Sequence, residues 1–567
     1  MQGHLSTGAF PWPLAFPYVS GENGYGNLKI IETLVPAFRN RPTRVKKTTG
    51  LRYWMLQVLE ECDRVAADFS TDPVHDLRVS LRRCRSLADG LMALDSNPDW
   101  KAMKKAGKRL FQRLGDLRDV QVMMEWVDKL HGEVMARIPP PAISTAEQTP
   151  APVATPDSSY VSDPAAQTLL EILHSREKEQ QREAKSALEE FDRKQWRQWA
   201  KTLPICAARI RPGSPLFKHL ALERWTAARE LHNRALRNRS QVAFHSLRIG
   251  IKRFRYIVEN FLPAEHAAWK DGLKEIQDLL GEVHDLDVLW STAASCQVFP
   301  DENSRKIWRE IILAQRAKQI SGYRTKMLGP DSRWQLWRDG LPKGKEISVL
   351  ATRRMKMWAS GLDPDFPHSE RVAALALQLY DGLLAWGWQP AVDPISARSS
   401  LLAAALLHDV GKSEGLKGHH KASLKLIRDH GNPLGWNAAD LQRAAIIARF
   451  HRGVLPTRRH KSLRDLLPNE QKGTIQLAAV LRLANALDSA HDGHIRRIHI
   501  ENQRIGNKES EALVIVAEGY APVGSCARTV AAERYLLETV LHRPVILKAM
   551  NNNRKQRSRR SSAVTSA

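Results

Sequence analysis

The 567-residue chain has no apolar run of transmembrane length, and its N-terminus lacks a charged start followed by an apolar core. A bilayer-spanning helix needs about 20 consecutive apolar residues, so these absences argue against a membrane protein and predict a soluble, cytoplasmic one. Cysteine is scarce too: there are five (Cys62, Cys84, Cys206, Cys296, Cys526), odd in number and without paired spacing. That argues against a disulfide framework and fits a reducing compartment. Acidic residues are outnumbered, 61 against 86 Lys and Arg, which leaves a net charge of +25. The imbalance is informative about partners and not about fold: nucleic acid, an anionic membrane and an inorganic polyanion are all compatible with it. Hydrophobic content of 43% is ordinary for globular protein and sufficient for real cores.

What the chain does have is a stretch that occurs twice. His75-Asp-Leu-Arg78-Val-Ser-Leu-Arg82-Arg83-Cys-Arg85 returns as His245-Ser-Leu-Arg248-Ile-Gly-Ile-Lys252-Arg253-Phe-Arg255. At about 100° per residue, His75, Arg78, Arg82 and Arg85 share one helix face, as do His245, Arg248, Lys252 and Arg255. Leu77, Leu81 and Cys84, then Leu247, Ile251 and Phe254, form the opposite apolar face. Like charges three and four residues apart repel, so stripes this dense suit a polyanion lying across them. A second pair follows in the same order, Leu114-Gly115-Asp-Leu-Arg-Asp119-Val and Leu280-Gly281-Glu-Val-His-Asp285-Leu. Two matched motifs in one order indicate a duplicated helical unit.

The pattern predicts a mainly α protein, with duplicated helical bundles followed by a helical domain carrying a small α/β appendage. Residues 1–45 are expected to be poorly ordered. A unit over 46–330 contains the duplication, interrupted at 138–165 by a Pro-, Ala- and Ser-rich linker. A helical domain over 346–494 follows, then an α/β subdomain over 495–550 and a basic disordered tail over 551–567. Within the subdomain, Ile495 to Arg504, Glu511 to Glu518 and Pro544 to Ala549 are β-prone, while Ser525 to Leu541 reads as one amphipathic helix.

The doubled His-and-Arg stretch and the Leu-Gly-x-x-x-Asp segments resemble the CHAD family, the conserved-histidine α-helical domains. The resemblance implies a binding module for inorganic polyphosphate. It carries that role to Arg78, Arg82, Arg83, Arg85, Arg248, Lys252, Arg253 and Arg255, with Lys252 keeping the charge of an arginine but not its bidentate fork. A basic run on the next helix (Lys104, Lys105, Lys108, Arg109, Arg113) adds candidates. His75 and His245, beside the helix starts, suit capping or orienting roles at the same site. The segment has no stacking aromatics interleaved with the basic residues, which argues against nucleic acid.

A second constellation comprises His368, His408-Asp409, His419-His420, His451 and Asp488, most of them at the ends of apolar helical segments. Burying such groups unpaired is costly. Convergence on one or two divalent ions would satisfy them together, and His/Asp ligation without Cys favours Mn, Fe, Co, Zn or Mg. His368-Ser-Glu-Arg371-Val, His408-Asp-Val-Gly, His419-His-Lys, Arg449-Phe-His451-Arg and Leu481-Arg-Leu-Ala-Asn-Ala-Leu-Asp488 resemble the HD superfamily of metal-dependent phosphohydrolases. More closely, they resemble the helical C-terminal half of the exopolyphosphatase/guanosine-pentaphosphate phosphatase family. That resemblance implies a metal shell of His368, His408, Asp409, His419 or His420, His451 and Asp488. Asp409 would orient water, and Lys412, Arg371 and Arg452 would hold phosphate. The Gly-rich phosphate loops of that family's other half are missing here.

Together these features predict a cytoplasmic, polyphosphate-granule-associated protein that binds polyphosphate and hydrolyses a phosphoanhydride or phosphoester, with a phosphorylated small molecule or nucleotide as a further partner. The competing expectation is a non-enzymatic polyphosphate binder whose C-terminal half is a scaffold or ligand sensor.

Overall fold

The computed structural model describes residues 50–137, 163–501, 504–505, 508–509 and 512–550. The expected N-terminal segment and basic tail lie outside the described residues, as does residue range 138–162 of the linker. Its last residues are already helical in character: Asp163 caps the next helix by accepting from Ala165 N, and that helix starts at Pro164.

The fold is mainly α, as the periodicity predicts. In the first half, α1 (Leu51–Ala67), α2 (Thr71–Leu91), α3 (Asp99–Ala106), α4 (Lys108–Met135), α5 (Pro164–Glu189) and α6 (Arg193–Ala207) precede a second set. That set is α7 (Pro215–Asn238), α8 (Gln241–Phe261), α9 (Pro263–Ser295) and α10 (Glu302–Met327), closed by the short α11 (Arg333–Asp339). α1 packs on α2 as α7 packs on α8, and the two units meet where α2 lies against α8 and α4 against α9. The duplicated helices repeat their environment residue by residue: 71–80 and 241–250 alternate between buried and exposed in the same order. Leu77, Leu81 and Cys84 on α2 are fully buried, as are Leu247, Ile251 and Phe254 on α8. This apolar stripe is what holds the pair edge to edge.

α12 (Lys345–Ser360) leads into the second half, since Ile347 packs on the first core while Met355 and Trp358 belong to the next. Buried Arg354 donates through Nη1 to Glu223 Oε2 (2.6 Å) and His219 Nδ1 (3.0 Å) on α7, and His219 Nε2–H donates to Leu434 O (2.8 Å). These charges stay tolerable out of water because each is paired.

Beyond it come α13 (Phe366–Ala385), α14 (Pro394–Leu407), α15 (His419–His430), α16 (Ala438–Arg449), α17 (Lys461–Arg464) and α18 (Pro468–Leu487) around one alanine- and leucine-rich core. The appendage contains β1 (Ile498–Glu501), the short pair β2 (Arg504–Ile505) and β3 (Lys508–Glu509), β4 (Leu513–Ala517), α19 (Ser525–Glu533), α20 (Tyr535–Leu541) and β5 (Val545–Ala549). β4 is central, antiparallel to β1 and parallel to β5, with Ile500 opposite Ile515 and Ile515 opposite Leu547. Its run Leu-Val-Ile-Val-Ala is buried at every position, as a strand covered on both faces requires. The single helix expected over Ser525–Leu541 is instead two, meeting at Arg534, whose guanidinium turns away to donate to Val545 O. Among the described residues no helix is long and apolar enough to cross a membrane.

Candidate functional sites: a cationic groove and a buried histidine cluster

With their apolar faces spent on the core, α2 and α8 leave a shared basic edge. Arg78, Arg82, Arg248 and Lys252 lie within one another's fields across the junction of the two units. Burial first, then the charges of Arg248, Arg82 and Arg78, push the Lys252 ammonium down to about 7. A concavity of about 560 Å³ continues from there, lined by Arg118, Lys129, Arg248 and Lys252 and by Glu125, Asp278, Glu282 and Asp285. Asp119 and Asp285, from the two matched Leu-Gly segments, are the groove's own counter-ions. Arg78 Nη2 is 4.0 Å from Asp119 Oδ1. Burial pushes the Asp285 carboxyl up to about 6, with Arg248 opposing and Asp119 adding to the rise. Sequence reasoning missed both as site residues, although the second matched motif marked their positions.

Other expected groove residues face elsewhere. Arg85 Nη1 donates to Lys104 O (2.7 Å), and its guanidinium lies 5.1 Å from the Phe111 ring. Arg83 pairs with Glu259 (2.5 Å) and sits over Trp54, and Arg255 approaches the same Glu259 (3.7 Å). Arg253 opens into a different hollow with Lys104 and Arg224. The physical reason is that side chains at the border of a helical stripe are captured by whichever partner the neighbouring helix offers. Lys104 is paired with Asp89, Arg109 with Glu190 and Arg113 with Glu183, while Lys108 is exposed. Neither histidine caps its helix: at α8 Ser240 Oγ accepts from Ala243 N while His245 Nδ1 lies 3.3 Å from His284 Nδ1, and at α2 the N-cap Ser70 makes no side-chain cap bond and His75 is exposed.

The groove's acid–base state gives a pH signature. Lys252 loses its proton as pH rises through about 7, and Asp285 gains negative charge through about 6. Both changes make the groove less positive with rising pH. A polyanion is therefore expected to bind about tenfold more weakly at pH 8.5 than at pH 6, and Lys252→Arg is expected to remove the part of that loss above pH 7. Titration of long-chain polyphosphate at several pH values measures it, and a flat profile contradicts it.

In the second half, helix ends bring four imidazoles together. His368 opens α13, His408 follows α14, His419 opens α15 and His451 follows α16, and all four are buried. Each ring is tied down at Nδ1: His408 to Ala405 O (2.8 Å), His419 to Leu416 O (2.9 Å), His451 to Ala448 O (2.7 Å) and His368 to Asp488 Oδ2 (2.7 Å). A carbonyl or carboxylate only accepts, so Nδ1 carries the proton in each; Nε2 is left as a lone pair in neutral His408, His419 and His451, whereas His368 Nε2 lies 3.0 Å from the Asn485 side-chain amide. The lone pairs of His408, His419 and His451 converge on Asp409, His408 Nε2 lying 3.3 Å from its Oδ2. His419 Nε2 is 3.1 Å and His451 Nε2 3.7 Å from Asp409 Oδ1, and His419 and His451 Nε2 are 3.3 Å apart. His408 Nε2 and Asp409 Oδ1 are buried with no hydrogen-bond partner.

Acceptors facing one another in a dry site repel unless a cation lies between them, and Nδ1–H donation to a carbonyl or carboxylate is how ligating histidines are oriented. The donors fit a divalent ion in two overlapping groups, His368–His408–Asp409 and Asp409–His419–His451, with Asp409 common to both. Burial opposes charge on His408, but the Asp409 carboxylate outweighs it and holds the ring above its ordinary value. Burial and the charge of His408 hold His451 well below. The Asp409 carboxyl is held far below the usual carboxylate range by the surrounding rings, despite its burial.

The structure places three of the expected site residues as follows. His419 lies in the cluster and His420 does not: its half-buried ring flanks the site, 5.9 Å from the ring of His419. Burial, then Arg449 and His419, push His420 down to about 4. Asp488 stands behind His368 and outside both donor groups, accepting from His368 Nδ1, Arg371 Nε (2.9 Å) and Gly493 N (3.1 Å). Arg371, expected to hold phosphate, is thereby tied to Asp488 and to His491 O. Lys412 Nζ contacts Asp409 Oδ2 (2.5 Å), and Arg452 is exposed. Arg482 was missed: buried, it donates to Phe450 O and Gly453 O on either side of His451 and is neutralised by Glu533 of α19.

The turn after His408-Asp409 explains its glycine. A Cβ on Gly411 would lie 2.1 Å from His419 O and 2.5 Å from Ser423 N, while Gly411 N donates to Ser423 Oγ, which donates to His408 O. Gly411→Ala is expected to displace the start of α15 with His419. It should destabilise the protein by about 1–3 kcal/mol and lower bound metal, as thermal unfolding and elemental analysis would read.

Residues 55–294 match the family model described as CHAD domain, and residues 353–523 match that of Ppx/GppA phosphatase, domain III. No curated protein matches the chain. The chain thus carries a CHAD-domain match followed by a Ppx/GppA phosphatase domain III match, and the pair ties it to polyphosphate-related function.

Proposed function

We propose that this protein binds inorganic polyphosphate along the groove between α2 and α8, and that its buried His/Asp cluster is an HD-type divalent-metal centre hydrolysing a phosphoanhydride or phosphoester. The observation that carries the hydrolytic reading is the set of four buried imidazoles tied down at Nδ1, three of which, His408, His419 and His451, turn Nε2 onto Asp409. His368, His408, Asp409, His419 and His451 would hold the metal, with Mn, Fe, Co or Zn favoured over Mg by the imidazole share. When bound, such a metal supplies hydroxide at neutral pH and Lewis acidity toward phosphoryl oxygen. Asp409 orients the attacking water, and Lys412 fixes that carboxylate while adding positive charge beside the phosphoryl group. Asp488 keeps His368 in one tautomer. Carrying binder and hydrolase on one chain raises the local concentration of substrate without new contacts.

A non-enzymatic reading, with the second half as a scaffold or ligand sensor, draws on Arg371, whose guanidinium is spent on Asp488 and His491 O. The two separate in one assay: phosphate release from polyphosphate and from nucleotides, across the five candidate metals, by native and Asp409→Asn protein. Release by the native chain that disappears in the variant supports hydrolysis. No release with any metal contradicts it.

A further inference from the structure

The segments that deliver His419 and His451 also deliver a second set of side chains, to the rim and not the centre. His420 and Lys421 follow His419, while Arg449 and Arg452 bracket Phe450 and His451. The His420 ring stands 5.9 Å from that of His419 and 6.4 Å from that of His451, and the charges of Arg449, Arg452 and Lys421 all bear on it. Among the described residues no carboxylate holds any of these three cations, whereas Arg371 and Lys412 within the same site are engaged by Asp488 and Asp409. Arg449 lies 5.2 Å from the Phe450 ring, and its Nη1 is buried without a partner. The loop beneath is fixed by Arg482 through Phe450 O and Gly453 O. Cations gathered on a rigid loop without counter-ions are arranged for an incoming anion, and guanidinium forks match phosphate oxygens two at a time.

The segments that carry the rim also carry exposed apolar side chains. Leu416 is 76% and Val454 57% exposed, on segments whose backbones are pinned to the cluster, the first by Leu416 O accepting from His419 Nδ1. A lone exposed leucine means little. Two apolar side chains on the segments of one cationic rim suit a ligand that carries an organic body behind its phosphate.

We propose that His420, Lys421, Arg449 and Arg452 form a phosphate subsite that, bordered by Leu416 and Val454, takes the phosphate of an organic phosphomonoester such as a nucleotide. This rests on reading the adjacent cluster as a phosphohydrolase metal centre and narrows its substrate to organic phosphates. The rim residues bind and orient; the reacting groups are those already described.

The test titrates AMP and inorganic pyrophosphate into the full chain carrying Arg78→Ala, Arg82→Ala, Arg248→Ala and Lys252→Ala, so that the groove contributes no background. On that chain, Arg449→Gln with Arg452→Gln is expected to weaken AMP binding by about tenfold or more. Leu416→Ser with Val454→Ser is expected to weaken AMP by about threefold while leaving pyrophosphate within about twofold. All four are rim positions, and equal melting temperatures confirm the fold. AMP binding indifferent to the arginine changes overturns the subsite. Pyrophosphate binding tighter than AMP, with no effect of the apolar changes, overturns the organic ester. Metal content of the same samples separates the two readings: AMP bound through the arginines by protein that retains no metal sinks the metal centre and leaves the subsite standing. Retained metal with an indifferent rim does the reverse.

Discussion

Asp409→Asn protein is expected to retain less than about one hundredth of the metal affinity of the native chain, and to release no phosphate. Asp409 belongs to both donor groups, so its amide removes the anionic ligand from each while keeping the side chain's shape. The amide also places an N–H donor where Oδ1 now faces the Nε2 lone pairs of His419 and His451. His408→Ala should lower metal affinity comparably, and it additionally leaves a hole at a fully buried position that costs about 2–4 kcal/mol. Asp409→Asn is therefore the cleaner variant. Polyphosphate binding should stay within about twofold of native in both, because the groove lies on α2 and α8 and shares no residue with the cluster. Elemental analysis and a metal titration read the first effect, phosphate release the second. Native affinity in Asp409→Asn would contradict the ligand assignment.

How far the sequence could be read depends on what decided each side chain. The matched stretches at His75 and His245 were legible because a helix buries one face, and the burial of Leu77, Leu81, Leu247 and Ile251 follows from their spacing alone. The clustering of the histidines was legible for a related reason: imidazoles at the ends of apolar helices need a partner. Spacing could not choose between His419 and His420, which are successive residues about 100° apart on one helix turn. Packing chooses, burying the first and leaving the second at the rim. Arg83, Arg85 and Arg255 belong to the basic stretch by sequence, yet Glu259 and the carbonyl of Lys104 capture them. Asp488 is legible as a site residue but not as the acceptor behind His368. Arg482 gives no signal at all, since an arginine inside an apolar helix reveals its purpose only when Phe450 O and Gly453 O arrive from another segment.

Neutralising the groove is expected to have the other large effect. Arg78, Arg82, Arg248 and Lys252 lie within one another's fields from two homologous helices, and Arg248 and Lys252 line the adjoining concavity. Charge-assisted contacts contribute roughly 1.5–3 kcal/mol each and do not add within a cluster. The fourfold alanine variant should therefore lose at least about 100-fold in polyphosphate affinity, about 2.7 kcal/mol. Its affinity should also fall less steeply with salt, by roughly three to four in the log–log slope, because four fewer phosphates shed counter-ions. Arg109→Ala with Arg113→Ala removes charge at positions already paired with Glu190 and Glu183, so it should cost less than about threefold.

The most direct measurement is a titration of long-chain polyphosphate into native protein, the fourfold groove variant and the Arg109/Arg113 control at fixed salt, repeated with duplex DNA present at equal phosphate concentration. Loss of binding confined to the groove variant, with DNA unable to displace the polymer from native protein, is the expected result. Equal affinity in all three proteins, or ready displacement by DNA, would contradict a groove built for polyphosphate.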